Sequence, residues 1–199
     1  MPAQFYLIRH GQTDWSREKR YCGSRTDMAL NETGRAQAQR LSNKLSGKIF
    51  TGVYTSPMKR TREFCEIALG VAAGRMEPGL CELDFGDFSG HTHDELMACY
   101  PEQYGNWLKN PFTAGIPGGE NLKDFEIRVS RAWKDILEQS HGTVAVVAHG
   151  GPLRLILAEV LGLDKNDIWS IRQDEACLNI VEAEGGKTRV TLLNDISHL

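Results

Sequence analysis

Two short stretches of consecutive apolar residues each end at a histidine that is followed by glycine. Residues 4–8 lead into Arg9-His10-Gly11, and residues 143–148 lead into His149-Gly150. A strand that is apolar at every position, rather than at alternate positions, is typical of a central sheet covered by helices on both faces. The pattern therefore predicts two buried strands, each of which runs directly into a polar loop.

Helices are predicted where favoured capping residues precede polar or amphipathic stretches. Asn31 is a favoured N-cap, and Ser56-Pro57 fit the N-cap and the first residue of a helix. Apolar residues recur at helical spacing from Leu122 to Leu137, which is typical of a helix lying on a sheet. The predicted helices cover residues 31–46, 56–69 and 122–141, and a fourth begins near Pro152.

Further strands are predicted at residues 53–55, 176–182 and 188–193, and the alternating pattern of the last favours a place near the sheet edge. Because strands and helices alternate, we expect an α/β protein: a three-layer α/β/α sandwich with a mostly parallel central sheet. One domain is expected to span residues 1–199. Residues 85–117, rich in Gly, Pro and aromatic residues, fit this alternation least. We expect them to form a helical insertion, a lid over the carboxyl edge of the sheet and the active site.

Composition narrows the functional classes. Of the 199 residues 41% are hydrophobic and 25% charged, and the net charge of -3 comes with Lys and Arg spread along the chain. This distribution offers no basic patch for nucleic acid or a membrane surface. No apolar run approaches the ~18 residues of a membrane span, and the first residues lack a signal-peptide pattern, so a cytoplasmic location is expected. The five cysteines form no C-x-x-C pair and are expected to be free thiols, some of them buried.

The two histidines lie where open α/β sheets bind ligands, at the carboxyl ends of strands. One His-Gly pair alone would suggest a turn residue, but two matching pairs, the first preceded by Arg9, favour a functional site. Arg60 is expected in the first turn of a helix that follows a strand, although it could also extend a solvated face with Lys59 and Arg62. Arginine binds two phosphoryl oxygens at once and keeps its charge, so these residues suggest an anion site.

Two acidic or histidine-containing segments leave alternatives open. In residues 80–90, Glu82, Asp84 and Asp87 compete for the role of a proton donor, and a solvated acidic loop is the competing interpretation. His91-Thr92-His93-Asp94 could suggest metal ligands. Thr92 with Glu95 three residues later fits a capping box, however, and we favour a helix start over a metal site.

Six segments, taken in order, resemble the histidine phosphatase superfamily over residues 4–195. The ordered set is much more specific than Arg-His-Gly alone. The segments are LIRHGQT at 7–13, DMALNETG at 27–34, SPMKRT at 56–61, LCELDFGDFSG at 80–90, PGGE at 117–120 and VVAHGG at 146–151.

The resemblance implies a role for each matching residue. His10 would be the phosphorylated nucleophile, Arg9, Arg60 and His149 would form the phosphate pocket, and Glu82 would be the proton donor. His10 must then be neutral, and nearby cations are expected to lower its pKa. No metal or other cofactor is expected, since the arginines supply positive charge. Ser16 stands where the family usually has Asn, and the loop differs by one residue after Gly23. The implied substrate contacts are Gly11, Ser16, Cys22, Gly23 and Gly150.

The resemblance also suggests a branch of the family. Mutases of this family are longer and carry a tail over the site, which favours a phosphatase. GDFSG at 86–90, PGGE and residues 168–177 look most like α-ribazole phosphatases of cobalamin biosynthesis. A broad-specificity or sugar-phosphate phosphatase, a phosphoglycerate mutase and a non-catalytic relative stay open. The expected partner is a small phosphate ester, and a homodimer is one conceivable assembly. Tyr104, Trp107 and Phe112 could stack on a substrate base or form the core of the insertion.

Overall fold

The computed structural model describes residues 2–72 and 74–199, and only the backbone at position 165. Six strands and seven α-helices lie in this part of the chain. In order, they are β1 (Ala3–Arg9), α1 (Asp14–Arg17), α2 (Glu32–Lys44), β2 (Gly52–Thr55), α3 (Lys59–Leu69), β3 (Arg75–Met76), α4 (His93–Cys99), α5 (Pro101–Lys109), α6 (Leu122–Gln139), β4 (Thr143–Ala148), α7 (Gly150–Leu161), β5 (Leu178–Glu184) and β6 (Lys187–Asp195). Short 3₁₀ helices form at Pro78–Leu80, Gly86–Phe88 and Lys165–Ser170.

The strands form one mixed sheet in the order β3-β2-β4-β1-β5-β6. The pairs β1–β4, β4–β2 and β2–β3 are parallel, whereas β5 and β6 run antiparallel to their neighbours. This confirms the predicted α/β fold with a mostly parallel sheet, and it confirms β6 at an edge. Because Arg9 pairs with Ala148 across β1 and β4, the residues that follow the two strands lie side by side.

The core consists of one apolar layer on each face of the sheet. Along β1, Phe5 and Leu7 point into the layer formed with α6 and α7, while Tyr6 and Ile8 point into the layer formed with α2 and α3. Trp133 of α6 packs edge-on against Phe5, with ring centroids 5.1 Å apart. Burial on both faces explains why the central strands read as continuous apolar runs.

The predicted start of α3 was wrong by two residues. Ser56 and Pro57 precede the helix, which begins at Lys59 with Met58 as an N-cap that makes no side-chain hydrogen bond. The Lys59 N–H instead donates to Asp27 Oδ1 over 2.5 Å, so a carboxylate from another loop caps the helix. The Ser56 hydroxyl lies outside the helix, and the Met58 N–H donates to it over 3.4 Å. The short edge strand β3 was also missed, since two exposed residues carry no periodic signal.

Residues 85–117 contain the 3₁₀ helix Gly86–Phe88 and helices α4 and α5. The capping box is confirmed: Thr92 Oγ1 accepts from the Glu95 N–H, and Glu95 Oε2 accepts from the Thr92 N–H. Tyr104 and Trp107 are buried, with rings stacked 6.0 Å apart, and Phe112 packs against the same core. These aromatic residues thus form the interior of the insertion.

All five cysteines are free thiols, as expected, and Cys65 and Cys177 are buried. Within residues 2–72 and 74–199 no helix is long and apolar enough to cross a membrane. The same residues contain no cluster of three or more His, Cys, Asp or Glu side chains arranged to hold a metal ion.

Candidate active site

His10 follows β1 and is 6% exposed. Its Nδ1 lies 2.7 Å from the Gly11 carbonyl oxygen, which can only accept a hydrogen bond, so Nδ1 carries the proton. Burial holds the pKa of His10 well below its ordinary value, and the positive charges of Arg60 and Arg9 lower it further, against the opposing effect of the Gly11 hydrogen bond. The ring is therefore neutral, and its Nε2 presents a lone pair to the cavity.

His149 follows β4 and is the fully buried N-cap of α7. Arg60 Nε donates to His149 Nδ1 over 3.2 Å, so His149 Nε2 carries the proton and donates to Ser56 Oγ over 2.8 Å. Burial, then Arg60, His10 and Arg9, hold the pKa of His149 well below its ordinary value. The ring centroids of His10 and His149 are 5.1 Å apart. The site thus holds two neutral imidazoles with different hydrogen bonding.

Two arginines lie beside these rings without a carboxylate partner. Arg60 is 1% exposed, and its Nη1 and Nη2 donate to the carbonyl oxygens of Thr26 and Gly23 over 3.2 and 3.3 Å. Arg9 Nη1 donates to the Gln173 carbonyl over 2.5 Å, and Arg9 Nε is buried without a partner among the described residues. Among the residues that the structure describes, no ion pair includes Arg9 or Arg60. Buried charge is costly without a counterion, so this arrangement favours binding of an anion.

Among the three acidic candidates, Glu82 is the one that lines the cavity containing His10. Its Oε1 accepts from the Leu83 N–H over 2.9 Å, and its Oε2 accepts from the Gly151 N–H over 3.2 Å. Asp84 instead forms an ion pair with Arg25 at 2.7 Å, and Asp87 is exposed. Spacing could not choose between the three acids, and the tertiary structure separates them.

The proposed substrate contacts fall into two groups. Ser16 and Cys22 line the cavity with their side chains, whereas Gly11 and Gly23 place carbonyl groups that hold His10 and Arg60. Ser16 Oγ is already engaged by Thr13, from whose N–H it accepts over 2.9 Å. Burial raises the pKa of the Cys22 thiol, which disfavours a thiolate nucleophile.

Gly150 and Gly151, the first two residues of α7, leave room for side chains of the site. A Cβ on Gly151 would lie 2.2 Å from Glu82 Oε1, and a Cβ on Gly150 would lie 2.7 Å from Arg154 Nη1. Such distances are far below van der Waals contact. The glycine pair therefore allows Glu82 and Arg154 to approach the start of the helix.

Several residues of this cavity, which has a volume of about 220 Å³, were not predicted from the sequence. Arg154 could have been found, because it lies four residues after Gly150 and so on the same side of α7. The ring of Trp169, in the 3₁₀ helix Lys165–Ser170, had no local signal. Ser56 contacts His149 behind the cavity and does not line it, and the sequence predicted it only as a helix cap. The other missed residues that line the cavity include Tyr21 and Phe85.

Comparisons with known proteins agree with this geometry. Residues 5–196 match the family model described as the histidine phosphatase superfamily, branch 1. Phosphoserine phosphatase 1 of Hydrogenobacter thermophilus is 32% identical over 203 residues, covering 99% of this chain and 94% of that protein. The adenosylcobalamin/alpha-ribazole phosphatase of Escherichia coli is 30% identical over 195 residues, covering 96% and 95%. A crystal structure of a putative alpha-ribazole-5'-P phosphatase from Escherichia coli superposes with a TM-score of 0.91 at 28% identity, covering 98% of this chain and 97% of that one.

Proposed function

The chain belongs to the histidine phosphatase superfamily, branch 1, and from this membership we propose that it hydrolyses phosphate monoesters through a phosphohistidine on His10. One observation carries the residue assignment. His10 Nε2 is the unprotonated nitrogen of a buried, neutral ring beside the guanidinium groups of Arg9 and Arg60. A neutral imidazole is a nucleophile, and the arginines attract the phosphoryl group that it would attack.

The reaction would proceed in two displacements. In the first, His10 Nε2 attacks phosphorus in line, the N–P bond forms, the P–O ester bond breaks, and Glu82 gives its proton to the leaving alkoxide. In the second, water attacks phosphorus, Glu82 accepts a proton from that water, and the N–P bond breaks to release inorganic phosphate. One carboxyl group thus serves both steps and returns to its protonated form.

His149 would help to stabilise the transferring phosphoryl group as a hydrogen-bond donor. In the ligand-free arrangement its proton points to Ser56, because Arg60 occupies Nδ1. A serine hydroxyl can donate as well as accept, so Ser56 can hold the other tautomer, in which Nδ1–H faces a phosphoryl oxygen. One preorganised donor of this kind contributes about 10² to 10³ in rate.

The insertion of residues 85–117 remains a proposed lid. Its first residue, Phe85, lines the cavity, and Trp107 lies with its ring centroid 6.1 Å from that of Trp169, another cavity residue. An apolar cover at this position would exclude bulk water from the phosphoryl group during the first displacement.

Two substrates follow from two different observations. The overall similarity to the Escherichia coli proteins supports α-ribazole 5'-phosphate, the substrate that the sequence suggested. Phosphoserine is supported by the 32% identical phosphoserine phosphatase and by Arg154, a cation that lines the cavity in addition to Arg9 and Arg60. Values of kcat/KM for α-ribazole 5'-phosphate, phosphoserine, 3-phosphoglycerate and fructose 2,6-bisphosphate would separate the candidates. A flat profile would contradict the cobalamin assignment and leave the chemistry intact.

Glu82→Gln tests the proton donor. The variant is expected to lose about 10² to 10⁴ in kcat/KM on alkyl phosphates but far less on p-nitrophenyl phosphate, whose leaving group needs little protonation. Asp84→Asn is the matched control, because Asp84 pairs with Arg25 outside the cavity. Equal losses on both ester types in Glu82→Gln would remove Glu82 from this role.

A further inference from the structure

Arg154 is a cation of the cavity that the phosphate pocket does not require. Its Nε donates to the Ile171 carbonyl oxygen over 2.9 Å, and its guanidinium lies 5.8 Å from the ring centroid of Trp169. These contacts fix the side chain without neutralising it. Among the described residues Arg154 has no ion-pair partner within 4.0 Å. Nη1 and Nη2 are the donors left for a ligand.

The position of Arg154 relates it to the proton donor rather than to the nucleophile. The Arg154 Nη1 atom lies over Gly150, and the Glu82 carboxylate lies over Gly151, so the two groups cover consecutive residues at the start of α7. Arg9, Glu82, Cys177 and Asp174 act electrostatically on Arg154, whereas the cations that act on His10 are Arg60 and Arg9. Because Glu82 protonates the leaving oxygen, a group beside Glu82 faces the alcohol part of the ester.

We propose that Arg154 binds a carboxylate on the alcohol part of the substrate, and that the preferred substrates are small phosphorylated hydroxy acids or amino acids. The proposal rests on the phosphomonoesterase function, with Glu82 as the acid. A planar pair of N–H donors matches the two oxygens of a carboxylate. A substrate carboxylate would also compensate a largely buried cation that the protein leaves without a partner.

The charge of Arg154 favours a carboxylate over a second phosphate group. The volume does not choose between esters, because the cavity of about 220 Å³ shares Arg9, Ser16 and Tyr21 with a wider groove of about 750 Å³. A single guanidinium with two available nitrogen donors matches the single charge of a carboxylate better than the double charge of a second phosphate group. A substrate whose alcohol part is uncharged would gain from Arg154 only a hydrogen bond to an uncharged acceptor.

The test compares two esters that differ by one carboxylate, phosphoserine and O-phosphoethanolamine, with p-nitrophenyl phosphate as a third substrate. In Arg154→Gln, kcat/KM for phosphoserine is expected to fall about 10- to 100-fold, because the variant loses a hydrogen bond to a charged group. Most of this fall should appear as a higher KM. For the two substrates without a carboxylate the fall should be about threefold or less. Arg154→Lys should recover part of the loss, because it restores the charge without the fork.

Arg189→Gln is the matched control, since its side chain is 73% exposed and pairs with Glu182 at the β6 edge of the sheet, outside the cavity. It should change none of the three activities. An equal loss on all three substrates in Arg154→Gln would place Arg154 at the phosphoryl group and overturn the proposal. The proposal would also be overturned if Arg154→Gln kept the wild-type preference for phosphoserine. It would be overturned too by a wild-type enzyme that prefers O-phosphoethanolamine, α-ribazole 5'-phosphate or a bisphosphate over phosphoserine.

The wild-type comparison alone keeps the proposal testable if Arg154→Gln does not fold, because absence of a preference for the carboxylated ester overturns it. The proposed function fails in a different way. A wild-type protein inactive on p-nitrophenyl phosphate and on every alkyl ester would contradict phosphatase activity itself, and the role of Arg154 would fall with it.

Discussion

The end of β1 and the end of β4 carry the same short pattern, a histidine followed by glycine, and both histidines are buried rings with lowered pKa values. They differ in their hydrogen bonds. His10 uses one ring nitrogen, which donates to the adjacent Gly11 carbonyl, whereas His149 has both nitrogens engaged, by Arg60 and Ser56. The same pattern, a histidine followed by glycine, can therefore produce a nucleophile at one strand end and a hydrogen-bond donor at the other.

The chain that follows each strand accounts for this difference. After β1 the backbone enters a loop, and the Gly11 carbonyl turns back to the ring of His10. After β4 the chain enters α7 directly, so His149 becomes an N-cap. Its ring contacts Ser56 of the β2–α3 connection and Arg60 of the first turn of α3. The element that follows each strand thus decides whether a ring nitrogen of the histidine remains without a partner.

Replacing His10 by Ala should have the largest effect on activity. Loss of the nucleophile is expected to reduce kcat by at least about 10⁴-fold on every substrate, including p-nitrophenyl phosphate. Brief reaction of the wild type with a ³²P-labelled ester, followed by quenching, should trap acid-labile label on histidine, and the variant should trap none. Label that persists in His10→Ala would move the nucleophile elsewhere, with His149 as the first alternative.

Replacing His149 by Ala should have a smaller effect. Removal of one preorganised donor to the phosphoryl group is expected to lower kcat about 10² to 10³-fold on all esters, while phosphohistidine still forms. Single-turnover labelling would measure this directly. A variant that forms no phosphoenzyme at all would show that the two strand ends do not divide their roles as proposed.

Ser56→Ala should separate the two histidines further, because the Ser56 hydroxyl is hydrogen-bonded to His149 and not to His10. The change leaves a buried ring nitrogen without its partner, and an expected loss of about 10-fold in kcat/KM should appear on all substrates alike. Ser89→Ala is a matched serine control, since the buried Ser89 Oγ has no partner among the described residues. Nitrogen chemical shifts of His149, measured with and without inorganic phosphate, should change in the wild type and less in Ser56→Ala. Unaltered activity in Ser56→Ala would remove the hydroxyl from this role.

The smallest expected effect is on stability in mild acid. Both histidines have folded pKa values below the unfolded value of about 6.5, so the unfolded state binds more protons as pH falls through that value. Their contribution to stability is complete above about pH 6.5 and declines below it, by at most about 1.4 kcal/mol per histidine at pH 5.5. Urea unfolding at pH 7.5 and 5.5 should show a larger loss for the wild type than for His149→Gln. Identical pH dependence in the two proteins would contradict a buried, neutral His149.

Local sequence signals predicted a large part of this molecule. Asn31 caps α2 through the Gly34 N–H, and Thr92 with Glu95 forms a capping box, because capping depends on residues only three positions apart. The strand β4 was predicted with its observed ends, Thr143 and Ala148, since burial on both faces leaves a continuous apolar run. The antiparallel direction of β5 and β6 had no such signal.

The sequence by itself determined the fold class, the strand ends that carry the candidate site, and the residues His10, His149, Arg9 and Arg60 as a candidate anion site. Only the tertiary structure decided among Glu82, Asp84 and Asp87, assigned Ser56 to His149 rather than to α3, and brought Arg154 beside Glu82. The physical reason is distance along the chain. Caps and apolar periodicity act over a few neighbouring residues, whereas the protonation state and the partners of a buried side chain depend on groups that folding brings together from distant segments.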